Sequence, residues 1–123
     1  MPHATLEYSA DIPEPADLEG FFRRLHEALV PLGPFDIQDF KSRAYRAAQY
    51  CVGPGGAPRG FVHLTLAILD RRSLDIQKAA GETALALLRE AFARALTEQD
   101  CDITVEVREM RMATYFKVRS APH

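Results

Sequence analysis

Apolar and polar residues alternate in three segments of the chain, at residues 4–8, 61–68 and 103–108. This period of two predicts three half-buried β-strands, the first of which begins almost at the first residue. A further extended segment is predicted over about residues 37–52, before a turn-rich connector of glycine and proline at 53–58. The chain therefore enters a sheet at once and returns to it three times.

Two other segments carry apolar residues at the helical period. Residues from about 16 to 30 have one apolar stripe, and Pro31 stops the predicted helix. Ser73 is the predicted N-cap of a second helix, whose stripe runs from Ile76 to Ala95. Gly81 inside this helix indicates either a close approach to the sheet or simple tolerance.

The order strand, helix, strand occurs twice, and His3-Ala4-Thr5-Leu6 matches His63-Leu64-Thr65-Leu66. We predict one α+β domain over residues 1–123, with two pseudo-equivalent βαβ units at about 2–52 and 60–112 and an extended tail at 113–123. The units form one four-stranded sheet with two helices on one face. The other face is expected to show alternating apolar or small residues, which predicts a homo-oligomer that covers it.

Composition and charge exclude several classes of partner. The chain has 123 residues, 47% of them hydrophobic, and 15 Lys+Arg against 17 Asp+Glu give a net charge of -2. No basic stripe interleaved with aromatic residues is present, so we expect neither nucleic acid nor a membrane surface as a partner. No signal-peptide pattern and no run of about 18 apolar residues occurs, and we expect a cytoplasmic protein.

Metal, nucleotide and serine hydrolase chemistry find no support in the sequence. Cys51 and Cys101 show no CxxC spacing, and we expect two buried free thiols. None of the histidines forms a helical ligand pair, and we expect no metal. No GxGxxG motif, P-loop or nucleophile elbow is present. The four histidines are His3, His26, His63 and His123.

Pro2 is the first candidate for chemistry. Removal of an initiator Met1 before this small residue would leave a secondary amine at the chain terminus. A free α-amino group has a pKa of about 7.7–8.0, and desolvation or nearby cations lower it, which gives a base suited to neutral pH. The plain alternative is that Pro2 is merely a common second residue. The strand that starts beside it favours the base, because most termini fray and a base must be fixed.

Cations are the second candidate. Lys41, Arg43 and Arg46 share one segment, and Arg71 and Arg72 lie at a junction between a strand and a helix. Arginine at such a junction can bind a carboxylate with two hydrogen bonds. Each residue alone is more consistent with a solvated surface charge, whereas the set suits a small dianion.

Four stretches together resemble the 5-carboxymethyl-2-hydroxymuconate isomerase family of the tautomerase superfamily, and the likeness spans nearly the whole chain. The resemblance implies duplicated βαβ units, a homotrimer and an amino-terminal proline as catalytic base. The stretches are Met1-Pro2-His3, Lys41-Ser42-Arg43, Phe61-Val62-His63-Leu64-Thr65-Leu66 and Arg72-Ser73-Leu74.

Carried over to this sequence, the resemblance implies that Pro2 moves the proton and Arg72 binds a substrate carboxylate. Lys41 stands where the family has an arginine, which keeps the charge and loses the planar grip. Either Lys41 substitutes as a point charge, Arg43 or Arg46 compensates, or the preferred substrate has shifted.

The implied reaction is the cofactor-free conversion of 5-carboxymethyl-2-hydroxymuconate, a small anionic carboxylic acid, from dienol to 2-oxo isomer in the breakdown of homoprotocatechuate-type acids. Two alternatives remain open. One is a decarboxylase or hydratase of the same superfamily that acts on a related oxo acid. The other is a non-enzymatic module that binds small acids.

Overall fold

One mixed sheet with helices on a single face forms the architecture of this chain, for which a computed structural model describes residues 1–56 and 58–121. Among the described residues, short 3-10 turns at Val30–Leu32 and Ile37–Asp39 join main elements, and another at Met112–Thr114 follows the last strand. The predicted α+β class with two βαβ units is confirmed. The elements are β1 (His3–Ser9), α1 (Leu18–Leu29), β2 (Lys41–Ala47), β3 (Arg59–Leu69), α2 (Leu74–Ala91), α3 (Ala93–Glu98) and β4 (Asp100–Met110).

The first strand of the chain lies inside the sheet. The strand order is β2-β1-β3-β4, with β1 parallel to β2, antiparallel to β3, and β3 parallel to β4. His3 pairs with Lys41 on one side and with Ala67 on the other. Both neighbours therefore hold the beginning of the chain from its third residue onward.

The helices pack against the sheet face that carries Leu6 and Leu64, which are fully buried. The Asp17 side chain accepts a hydrogen bond from the Gly20 N–H and caps α1, and Ser73 caps α2, as predicted. A Cβ atom added to Gly81 would lie 3.2 Å from a methyl carbon of Val107. The glycine therefore permits the close approach of α2 to β4.

Two predicted elements are shorter in the structure. The segment 37–52 begins as a 3-10 turn, because the Asp36 side chain accepts a hydrogen bond from the Gln38 N–H, and it is a strand only over β2. The second helical stripe is interrupted at Phe92, whose backbone leaves the helical region with φ -108° and ψ 29°. This bend keeps both Phe92 and Ala95 buried across the change of direction.

The sheet face opposite the helices differs from the prediction. Every second residue of each strand projects to this side. These residues are mainly polar, in place of the alternating apolar or small residues that were predicted. No helix of the described residues covers it. Its polar members are His3, Thr5, Glu7, Lys41, Arg43, His63, Thr65, Asp102, Thr104, Glu106 and Arg108.

The cysteines are both free, as expected, but their predicted burial is wrong. Cys51 is exposed, since it lies in the irregular segment after β2, and Cys101 is half-buried at the start of β4. Among the described residues, no helix is both long enough and apolar enough to cross a membrane.

Candidate functional site

A cavity of about 390 Å³ lies at the amino end of the chain. The beginning of β2 and the turn before it form one side, and the segment after β4 forms another. Three of its side chains are cationic, and one is a carboxylate. The lining residues are Met1, Gln38, Asp39, Lys41, Tyr115, Phe116, Lys117, Val118 and Arg119.

Pro2 lies beside this cavity and is buried in the chain that retains Met1. Its carbonyl oxygen accepts a hydrogen bond from the Lys41 N–H at 3.1 Å, one residue before β1 begins. Met1 itself is half-buried and lines the cavity. The terminus is thereby held in one position rather than frayed.

The charges around the terminus have opposing effects on the pKa of its amino group. Burial is the main cause that lowers the pKa of the Met1 amino group, and the positive charges of Arg72, Lys41 and Lys117 lower it further. The carboxylate of Asp39 opposes them and raises it. The balance is a lowered pKa, which favours the neutral amine at the end of the chain.

Arg72 lies in the turn between β3 and α2. Its Nη2 atom donates a hydrogen bond to the Pro34 carbonyl oxygen at 3.2 Å, and its guanidinium carbon stands 5.2 Å from the centre of the Phe35 ring. The Nε atom is buried and has no hydrogen-bond partner among the described residues. The positive charge of Arg72 acts on the amino terminus, although Arg72 is not among the residues that line the cavity.

The other predicted cations separate into different environments. Lys41 is exposed at the cavity, with its Nζ atom 3.2 Å from the Asp39 carbonyl oxygen. Arg43 donates a hydrogen bond to Nδ1 of His3 at 2.9 Å. Arg46 lies near the opposite end of β2, where it binds the Ala10 carbonyl oxygen and approaches Glu14, away from the cavity. Arg71 is exposed in the turn before α2.

Sequence reasoning missed a hydrogen-bonded chain that runs from β2 to the tail. Because arginine can only donate, Nδ1 of His3 is an acceptor, and the neutral ring carries its proton on Nε2. This Nε2 lies 2.9 Å from the Tyr115 hydroxyl oxygen, to which it donates. Burial lowers the pKa of His3, and the charges of Arg43 and Lys41 lower it further.

Asp39 and Lys117 were also missed. Nζ of Lys117 lies 3.6 Å from a carboxylate oxygen of Asp39 and 3.7 Å from the Met1 sulfur. Local sequence patterns do not predict contacts between residues so far apart in the chain. Only the charge of Lys117 in an otherwise apolar stretch, Tyr115-Phe116 before it and Val118 after it, offered a signal.

Comparison with known proteins gives one consistent result. A family model described as 5-carboxymethyl-2-hydroxymuconate isomerase matches residues 2–121. A 5-carboxymethyl-2-hydroxymuconate Delta-isomerase of Escherichia coli is 31% identical over 117 residues, which cover 95% of this chain and 93% of that protein.

Solved structures extend the likeness to three dimensions. A 5-carboxymethyl-2-hydroxymuconate isomerase from Deinococcus radiodurans R1 superposes with a TM-score of 0.85 and 30% identity, covering 97% of this chain and 90% of that one. A fused 4-OT solved as a symmetric trimer has a TM-score of 0.64 at 16% identity, over 89% of this chain and 85% of its own. The second match shows the shared fold alone.

The contact between Arg43 and His3 predicts a change in titration. Arg43→Gln removes a positive charge beside the ring, so the pKa of His3 should rise towards its ordinary value. Histidine ring shifts followed by NMR across pH 4–8 measure it. Arg46→Gln on the same strand is the matched control and should leave His3 unchanged. An unaltered His3 titration in Arg43→Gln would contradict the contact.

Proposed function

The chain belongs to the 5-carboxymethyl-2-hydroxymuconate isomerase family, and from this membership we propose that it ketonises 5-carboxymethyl-2-hydroxymuconate without a cofactor, with the Pro2 amine as base. The observation that carries the proposal is the position of the amino terminus, buried beside a cavity and acted on by three cations. Such a site suits both a neutral amine and an anionic substrate.

Removal of Met1 is the first requirement. With Met1 in place the Pro2 nitrogen is an amide and has no basic lone pair. Its removal would vacate a half-buried position that lines the cavity and would turn the nitrogen into a secondary amine there.

The chemistry then needs only a proton shuttle. The Pro2 nitrogen takes the proton of the 2-hydroxyl group, and the electron pair of that O–H bond forms the C=O bond of the product. The double bonds shift along the chain, and the protonated Pro2 returns the proton to the distant carbon. One O–H bond is replaced by one C–H bond, with no net oxidation. Nearby cations stabilise the negative charge of the dienolate between the two transfers.

Arg72 and Lys41 serve as the carboxylate ligands in this proposal. The charge of Arg72 acts on the amino terminus, and its buried Nε donor has no hydrogen-bond partner among the described residues, which favours this role. Lys41 is exposed at the cavity and contributes a point charge. Arg43, bound to His3, supports the site by fixing the ring beside Pro2.

The proposal includes a homotrimer, because the polar face of the sheet has no helical cover among the described residues and exposed apolar side chains remain. Phe116 is 87% exposed and Val118 is 96% exposed at the cavity rim. Burial of these side chains by a second copy would complete the site. The free cysteines favour the reducing cytoplasm, and the substrate assigns the enzyme to the breakdown of homoprotocatechuate-type acids.

Replacement of the base gives the most direct test. Intact mass spectrometry first establishes that Met1 is absent from both wild type and Pro2→Ala. We expect Pro2→Ala, which keeps a terminal amine but loses the ring, to lower kcat by about ten- to hundredfold in an ultraviolet assay of dienol loss. Pro54→Ala in the connector is the control and should be unaffected. Equal rates for Pro2→Ala and wild type would remove Pro2 from the mechanism.

Arg72 and Lys41, the two proposed binders of substrate carboxylates, should contribute unequally to kcat/KM. Arg72→Ala removes a charge-assisted contact that contributes about 1.5–3 kcal/mol, so kcat/KM should fall by about ten- to hundredfold, and by more than in Lys41→Ala. Lys41→Arg should keep or improve activity. The exposed neighbour Arg71→Ala is the control. Unchanged KM and kcat of Arg72→Ala in steady-state kinetics would show that Arg72 is a solvated surface charge and not a carboxylate ligand.

Assembly gives an independent test. Sedimentation equilibrium should yield three times the chain mass of 13.7 kDa at micromolar concentration. A stable monomer there would contradict the proposed trimer, whatever the result of the kinetic experiments.

A further inference from the structure

The segment after β4 folds back over the amino terminus. Residues 115–119, the part of the predicted tail at 113–123 that lines the cavity, are called the tail. The Tyr115 hydroxyl is bound to His3, and the two rings meet edge to face with centres 6.1 Å apart. Two residues later Lys117 reaches Asp39 and the Met1 sulfur. Two separate contacts therefore hold the tail across the cavity, one on β1 and one on the turn before β2.

We infer that the tail is a wall of the substrate pocket and that Lys117 binds the carboxylate of the substrate's carboxymethyl arm, which makes it a specificity-determining residue. This inference rests on the proposed function. The substrate has three carboxylates, two at the ends of its muconate chain and one on the arm. Arg72 and Lys41 account for the first two, which leaves one anion for another cation.

Lys117 is the cation best placed for this third anion. Its amino group lies within 3.7 Å of the Met1 sulfur, so removal of Met1 leaves it beside the space that the substrate would enter. Its pair with Asp39 is half-exposed, at 42% and 30% of the two side chains, and is therefore weak enough to be exchanged for a substrate carboxylate. Arg119 lines the same cavity but lies two positions further along the tail.

Comparison of two substrates isolates this role. 2-Hydroxymuconate has the same dienol and the two end carboxylates but lacks the arm. In Lys117→Met we expect kcat/KM for 5-carboxymethyl-2-hydroxymuconate to fall about tenfold, mainly through KM, with less than a threefold change for 2-hydroxymuconate. Loss of this cation also raises the pKa of the terminal amine, but that change acts on both substrates, so the ratio of the two kcat/KM values is the readout.

Four further variants complete the experiment, one of which is Arg119→Met at the other cationic residue of the tail. Lys78→Met, an exposed lysine on α2, is the matched control and should leave the ratio unchanged. Lys117→Arg should restore the ratio. Tyr115→Phe, which removes the hydroxyl bound to His3, should raise KM for the tricarboxylate while kcat stays within twofold.

The outcomes separate the two proposals. Equal losses on both substrates, or none, in a folded Lys117→Met would overturn the role of Lys117 while the isomerase function stands. A selective loss in Arg119→Met but not in Lys117→Met would overturn it as well. Wild-type protein that lacks Met1 and acts on neither substrate would instead overturn the proposed function.

Discussion

The hydrogen bond from the Lys41 N–H to the Pro2 carbonyl oxygen places the start of the chain under constraint. Chain ends usually fray, but here β1 is an inner strand with β2 and β3 on its two sides. The same bond brings the first residue of β2 alongside the terminus. A fixed amino end and an adjacent cation are thus consequences of one parallel strand pair, and the cavity is built around both.

Electrostatics at this end of the sheet follow from that constraint. The terminus is held half-buried, so burial disfavours its charged form, and cations from three separate parts of the chain add to the effect. Asp39 moderates them while it also receives Lys117. Asp39 therefore acts in two ways, because its carboxylate raises the pKa of the amine and also pairs with Lys117.

Local patterns were enough to predict most of the fold. Alternation located β1, β3 and β4, and the helical stripe with Ser73 as cap located α2. The strand order, the bend at Phe92 and the polar character of the open sheet face were not predicted, because each depends on packing between distant segments. Pro2 and the cation set that includes Arg72 were chosen from the residues, the family resemblance then gave Arg72 its role, and both choices stay predictions.

The missed part of the site has the same physical cause. His3 and Tyr115 are separated by 112 positions, and Lys117 is 116 positions from Met1. Neither contact can be predicted from the periodicity of the sequence or from the spacing of a motif. Only a sheet that returns its last strand beside β3 lets the tail reach the first residue. A resemblance quoted from the stretches up to residue 74 therefore could not reveal it.

The two βαβ units share a layout but not the chemistry of their strand ends. In the first unit His3 accepts a hydrogen bond from Arg43, whereas in the second His63 is hydrogen-bonded to Thr104 at 2.7 Å. The beginning of β4 is acidic, and its Asp100 and Asp102 pair with Arg59. Because β3 begins in the middle of the chain, the second unit has no terminal amine. Because Arg59 pairs with the acidic start of β4, this edge of the second unit also has no free cation among the described residues. The two units therefore differ in the contacts of their equivalent histidines and in the charge at the start of their outer strands.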